Sequence, residues 1–276
     1  MSKPLVVWTI AGFDPSSGAG ITADLKTISS HDCYGVACIT ALTVQSTLGV
    51  RRVEPIAPQT VHEMLQVLLD DFPPNAIKIG MLATSDIVNV VADFLEALHR
   101  PGCPVVLDPI LRSSSGAELL DHAGCRLLLT RLLPLATVVT PNRSEAALLT
   151  GLAGDDAEAM ASSLRQLGAA AAVVTGGDPG AGQHSQGNEQ RSEDVLAYEA
   201  GGMEFVETLS APLIRSNATH GTGCAFSTAI ACELAHGRNV PTAVTSAKTF
   251  VRRAIERAPG LGAGYGPMGL DRFPPE

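Results

Sequence analysis

Short apolar runs alternate with amphipathic stretches along most of this chain. The runs at 5–11, 36–42, 76–81, 105–108, 136–140 and 170–175 are close to continuously apolar, which predicts strands covered on both faces. Between them, residues 60–71 place Val61, Met64, Leu65, Leu68 and Leu69 on one side of a helix. Residues 85–98 repeat that spacing with Ile87, Val91, Phe94, Leu95 and Leu98, behind Ser85 as the N-cap. Such alternation predicts an α/β fold with a largely parallel sheet between two helical layers. Ligands bind such sheets at the carboxyl ends of the strands, so chemistry is sought just after each run.

The rhythm breaks once, at 176–191, a Gly- and Gln-rich stretch that reads as a surface loop, either a flap or an insertion. Residues 194–209 then predict a hairpin turning at Gly201-Gly202, and helices are expected at 222–236 and 241–258. No internal repeat interrupts the pattern. A length of 276 residues with 45% hydrophobic content suits a single domain over 1–276.

Composition narrows the function classes. No run approaches the ~18 apolar residues of a membrane span, and no signal-peptide pattern opens the chain. The six cysteines form no metal-type pair, which points to reduced thiols and a cytoplasmic protein. A net charge of −9 argues against nucleic acid as a partner. The only lysines are Lys3, Lys26, Lys78 and Lys248, so an anionic substrate must lean on Arg, metal and backbone amides. A homodimer is an assembly the sequence leaves open.

The strongest local signal is Thr219-His220-Gly221-Thr222-Gly223-Cys224, which runs straight into an apolar helix. Glycines at a helix start let backbone N–H groups converge, and the helix dipole favours an anion there. A cysteine in that first turn is expected to have a lowered pKa, as a base or nucleophile; the alternative is a small buried thiol. A second glycine cluster, residues 12–20, follows the first strand but is neither GxGxxG nor a Walker A loop. Behind it Asp24 shares the inward stripe of Ile21, Leu25 and Ile28 and must find a partner, by spacing a cap or a buried Arg before a substrate donor. Asp108-Pro109, the Asn142–Glu145 stretch and Gly176-Gly177 each follow a predicted strand. Carboxylates beside oxygen donors at that edge suit Mg²⁺ bridged to phosphates.

In chain order these segments resemble the hydroxymethylpyrimidine/phosphomethylpyrimidine kinases of thiamine biosynthesis, a branch of the ribokinase-like superfamily. The carrying stretches are AGFDPSSGAGITADLKT at 11–27, ITALTVQSTLGV at 39–50, IKIGML at 77–82, VVLDP at 105–109, LLPLATVVTPNRSE at 132–145 and THGTGC at 219–224. The resemblance spans residues 9–258 and implies a three-layer α/β/α sandwich around a mostly parallel sheet. It implies a pyrimidine alcohol as substrate, with its monophosphate as a further one, and ATP with Mg²⁺. The ring would lie near Gly12, Asp24, Val44, Gln45 and Met81, with Asp24 and Gln45 bonding its nitrogens. Asn142, Gly221, Thr222, Gly223 and Lys248 would hold the phosphates, and Asp108 and Glu145 the metal. Cys224 stands where many ribokinase-like sugar kinases carry an aspartate base. Two lysines usual in the family are replaced by Thr175 and Ser114, which leaves Arg112 or Arg143 as substitutes. The competing expectations are a pyridoxal kinase of the same fold, or a ligand-binding relative without kinase activity.

Overall fold

The computed structural model describes residues 3–98, 102–113, 116–152, 155–176 and 190–271. Its nine strands are β1 (Val6–Phe13), β2 (Tyr34–Ser46), β3 (Gly49–Pro55), β4 (Ala76–Ile79), β5 (Val105–Leu107), β6 (Val138–Val139), β7 (Ala171–Val174), β8 (Arg191–Ala200) and β9 (Met203–Pro212). They form one sheet in the order β3-β2-β1-β4-β5-β6-β7-β8-β9. Every pairing from β2 through to β7 is parallel; β3, β8 and β9 are antiparallel additions at the edges.

Eight helices cover the two faces. On one side lie α2 (Pro58–Asp71), α3 (Ser85–Ala97), α4 (His122–Leu127), α5 (Arg143–Thr150) and α6 (Ala157–Gln166), and on the other α1 (Gly20–Ser30), α7 (Thr222–Ala235) and α8 (Val240–Glu256). Alternation along the strands supplies both cores. Trp8, Ile10, Ile77, Ile79 and Leu107 pack with Val61, Leu65 and Val91, whereas Val7, Ala76 and Val106 pack with Ile28, Ile230 and Val244. A strand with two buried faces has no polar face to show, which is why these runs read as continuous.

Two polar residues break the apolar pattern and fix the register. Thr9 and Lys78 are Cα partners across β1 and β4, both on the α1/α7 side. A slip of one residue would drive Lys78 into the apolar core between the sheet and α2–α3.

Several local expectations are revised. Thr84, not Ser85, caps α3, its Oγ1 accepting from the Ile87 N–H at 3.4 Å. The strand expected over 136–140 shortens to two residues, Val138 and Val139. The stretch GVRRVEP forms β3, which periodicity missed because its residues are mostly exposed on an edge hairpin. The hairpin at Gly201-Gly202 forms as expected, with φ of 61° and 80°, the positive pair of a two-residue turn that suits twisted strands. Most of the 176–191 stretch, residues 177–189, lies outside the described residues, and Arg191 already belongs to β8. Among the described residues no helix is long and apolar enough to cross a membrane.

Candidate active site

One rung above the apolar floor of Val7, Ala76 and Val106, the α1/α7 face turns polar. Lys78 has no exposed surface there, and its Nζ lies 3.1 Å and 3.0 Å from the two oxygens of Asp24. Asp24, presented by α1, also accepts from Thr9 Oγ1 at 2.5 Å and from Thr228 Oγ1 at 2.8 Å. Asp108, at the end of β5, lies 4.0 Å from the same ammonium and accepts from Ser227 Oγ at 3.2 Å. Cys224, in the first turn of α7, lies beside Asp108, with the Gly20 backbone close to it.

This arrangement corrects the reading of Asp24. Its oxygens are taken by three protein side chains and it has no accessible surface. The partner its inward position demanded is Lys78, not a cap or an arginine.

Cys224 is corrected as well. Burial pushes its thiol up to about 12; Lys78 pulls the other way, but Asp108 and Asp24 add to the rise. At 7% exposure, desolvation of a thiolate outweighs the helix N-terminus that was expected to lower it. The same burial lifts Asp108 to about 6, with Lys78 opposing it and Asp24 reinforcing it. For Lys78 burial alone would favour the neutral amine; the carboxylates of Asp24 and Asp108 reverse this and raise it.

Beside this buried layer two glycine turns interlock. Gly221 caps α7 at φ 79°, and a Cβ there would lie 2.0 Å from the Gly18 carbonyl oxygen, so only glycine fits. Asp14, itself buried, joins the two turns: it accepts from Ser16 N at 2.8 Å, from Ala19 N at 2.9 Å, and pairs with His220 Nε2 at 2.8 Å. Gln45 lies close to Asp14, which brings the end of β2 to the same place. Gly12 abuts Met81, whose sulfur would lie 3.1 Å from a Cβ at that position. Gly223 faces open space, with no atom within 4 Å of where its Cβ would be. Gly12, Gln45 and Met81 thus lie at the carboxyl ends of β1, β2 and β4, and the Gly18–Gly221 contact brings the 221–223 turn beside them. Val44 is 46% exposed on the edge hairpin.

The phosphate and metal candidates lie along the next strand ends. Asn142 and Glu145 form a capping box on α5, Asn142 Oδ1 accepting from Glu145 N at 2.9 Å and Glu145 Oε2 accepting from Asn142 N at 3.0 Å. Glu145 Oε1 accepts from Leu111 N at 3.4 Å, tying α5 to the loop after Asp108. Lys248 pairs with Asp194 at 2.6 Å, and the other Asp194 oxygen accepts from the Gly176 N–H at 3.0 Å. Neither proposed substitute cation is uncommitted: Arg143 pairs with Asp155 at 2.7 Å and Arg112 with Glu118 at 3.6 Å. Ser114 lies outside the described residues. Among those described, no group of three or more His, Cys, Asp or Glu is arranged to hold a metal by itself.

Sequence reasoning gave no role to Lys78, Asp14, Thr9, Ser227 or Thr228, and named His220 only as part of the 219–224 turn. One signal was available: Lys78 is a lone charge in an otherwise apolar strand of a lysine-poor chain.

The structure superposes on a pyridoxal kinase from Staphylococcus aureus in complex with AMP-PCP with a TM-score of 0.85 at 31% identity, over 98% of this chain and 94% of that one. A phosphomethylpyrimidine kinase from Clostridium difficile matches with a TM-score of 0.74 at 33% identity, over 91% and 99% of the two chains. Among curated proteins, a hydroxymethylpyrimidine/phosphomethylpyrimidine kinase from Haemophilus influenzae is 40% identical over 270 residues, 97% of each chain. The family model described as phosphomethylpyrimidine kinase matches residues 14–269. The chain belongs to the phosphomethylpyrimidine kinase family, and is a phosphotransferase of ribokinase-like fold.

Proposed function

We propose that this chain, as one kinase domain over residues 1–276 in the cytoplasm, uses ATP to phosphorylate the hydroxymethyl group of 4-amino-5-hydroxymethyl-2-methylpyrimidine for thiamine synthesis. The observation that carries the reading is the open space in front of Gly223 in the first turn of α7, beside Cys224 and Asp108, with Gly12, Gln45 and Met81 at the neighbouring strand ends.

In this reading Gln45 orients the ring by its amide, and Met81 and Gly12 give it an apolar wall. The 221–223 turn directs its N–H groups at the transferring phosphoryl group, whose negative charge they offset. The substrate oxygen forms a bond to the γ-phosphorus of ATP while the bond to the bridging oxygen breaks and ADP leaves. Cys224 takes the hydroxyl proton as it hands its own to the neighbouring Asp108 carboxylate. A thiol kept protonated by burial suits such a relay, and positioning with charge neutralisation carries most of the rate. Mg²⁺ would supply further charge neutralisation at the phosphates. Holding it would take one or two carboxylates alongside phosphate oxygens and water, and Glu145 is the carboxylate left for that part while Asp108 receives the proton. Asn142 and Lys248 then lie on the nucleotide side.

A second reading, a pyridoxal kinase, has the higher TM-score of 0.85 on its side, against 0.74 for the pyrimidine kinase structure. The test is turnover of Mg-ATP with the pyrimidine alcohol, its monophosphate and pyridoxal, compared by kcat/KM. The pyrimidine alcohol is expected to lead. A higher value for pyridoxal would reverse the assignment, and no turnover with any of the three would leave a binding protein.

A further inference from the structure

His220 is the last residue before the glycine turn of α7, yet its side chain is committed to the other glycine turn, at 12–20. Its Nε2 lies 2.8 Å from Asp14 Oδ2. Asp14 is ionised at neutral pH, where a carboxylate can only accept, so this nitrogen is the donor. The rest of the Asp14 carboxylate serves its own turn, accepting from the Ser16 N–H and hydroxyl and from the Ala19 N–H. A Cβ at Gly18 would collide with His220 Cδ2, so the ring fills the space that a side chain there would need. Gly221 returns the contact, since its own Cβ would meet the Gly18 carbonyl oxygen.

A second attachment holds the backbone. The His220 N–H donates to the Gly266 carbonyl at 3.2 Å, and the Gly266 N–H to the Asn217 carbonyl at 2.8 Å. The segment after α8 is itself anchored, with Met268 and Leu270 buried against Ala23, Ala225 and Ala254 of α1, α7 and α8. Residues 217–220 therefore keep their place without the imidazole, and what the ring adds is the relation between the two turns. That relation bears on the amides beyond it. The first helical bond of α7 runs from Ala225 N to Gly221 O at 2.9 Å. The N–H groups of Gly223 and Cys224 precede it, and the helix provides them no acceptor. Their direction follows from Gly221, whose φ of 79° sets the entry of the chain into α7.

Resting on the kinase reading above, we infer that His220, held by Asp14, is a positioning residue for phosphoryl transfer: it aims the Gly223 and Cys224 amides at the terminal phosphate of the nucleotide. It makes no bond to the substrate and moves no proton. Its effect is geometric, and a displacement of ~1 Å in groups that offset transferring charge costs up to about 100-fold in rate.

The test compares the full chain with His220→Ala and His220→Gln, since a glutamine amide reaches the place of Nε2 and can still donate to Asp14. With the alcohol that the parent phosphorylates best, His220→Ala is expected to lower kcat about 10- to 100-fold, while the KM of that alcohol stays within about twofold and the melting curve stays close to the parent's. His220→Gln should regain most of that kcat. Calorimetry adds a readout that needs no turnover: His220→Ala should weaken Mg-AMP-PCP several-fold more than Mg-ADP, because only the former brings a terminal phosphate to the turn. An equal effect on both nucleotides, a parent-like kcat in His220→Ala, or a deficit that glutamine does not relieve would overturn the inference. Its failure stays separate from that of the kinase reading. A parent chain that phosphorylates none of the alcohols fails the reading, whereas a parent and a His220→Ala variant that phosphorylate alike fail only the positioning role.

Discussion

Lys78 Nζ lies 3.0 Å from Asp24 Oδ2, and neither side chain has any exposed surface. The pair joins the middle of the sheet to α1, and it carries the only lysine of the described core. Two hydroxyls, from Thr9 and Thr228, complete the carboxylate's hydrogen bonds, and Asp108 balances the remaining positive field. A buried ion pair of this kind repays its desolvation only through such full satisfaction.

Removing one partner therefore strands a charge. Lys78→Met is expected to lower stability by about 3–5 kcal/mol in urea unfolding, because Asp24 stays behind unpaired. The double variant Lys78→Met with Asp24→Leu should recover most of that loss. A single variant as stable as the parent would show that the pair adds nothing.

Asp14 ties stability to pH. Burial would raise its carboxyl, but hydrogen bonds from His220 and Ser16, with Gln45 close by, prevail and hold it at about 2 against an ordinary 3.8. A folded pKa below the unfolded one gives stability that is present above the unfolded value and lost as pH falls through the folded one. The parent should thus lose stability between pH 4 and pH 2 more steeply than Asp14→Asn, measured by denaturant midpoints at each pH. Parallel profiles for the two proteins would disprove the link.

Cys224 separates chemistry from packing. If its proton relay operates, Cys224→Ala should cut kcat about 10²–10⁴-fold while pyrimidine affinity, read by calorimetry, stays close to that of the parent. Near-normal kcat would reduce the thiol to a space-filling role.

The second phosphorylation tests the missing lysines. A monophosphate approaching the ATP phosphates costs about 4 kcal/mol for each like-charge pair at ~4 Å when the effective dielectric is near 20. Thr175 brings no charge, and the lysine nearest the Gly176 amide, Lys248, is already neutralised by Asp194 at 2.6 Å. Monophosphate should therefore accumulate in a time course with excess ATP, and Thr175→Lys should speed its conversion to diphosphate. Rapid diphosphate formation by the unaltered chain would contradict this.

The sequence by itself marked the central strands and the longer amphipathic helices, since two-sided apolar runs and one-sided stripes are local patterns with local causes; the exposed edge strand β3 carries no such pattern. It also marked both glycine turns, because a helix start rich in glycine is visible within six residues such as 219–224. Only the tertiary structure decided what those elements do to each other's charges. Lys78 and Asp24 are 54 residues apart and share no periodic signature, so nothing short of the β1–β4 register and the docking of α1 pairs them. The Cys224 thiol shows the same division. Its place in a helix first turn was legible, but its rise to about 12 comes from burial beside Asp108 and Asp24, carboxylates delivered by β5 and α1. Local dipoles can be read from a sequence, whereas desolvation depends on everything that packs around a group.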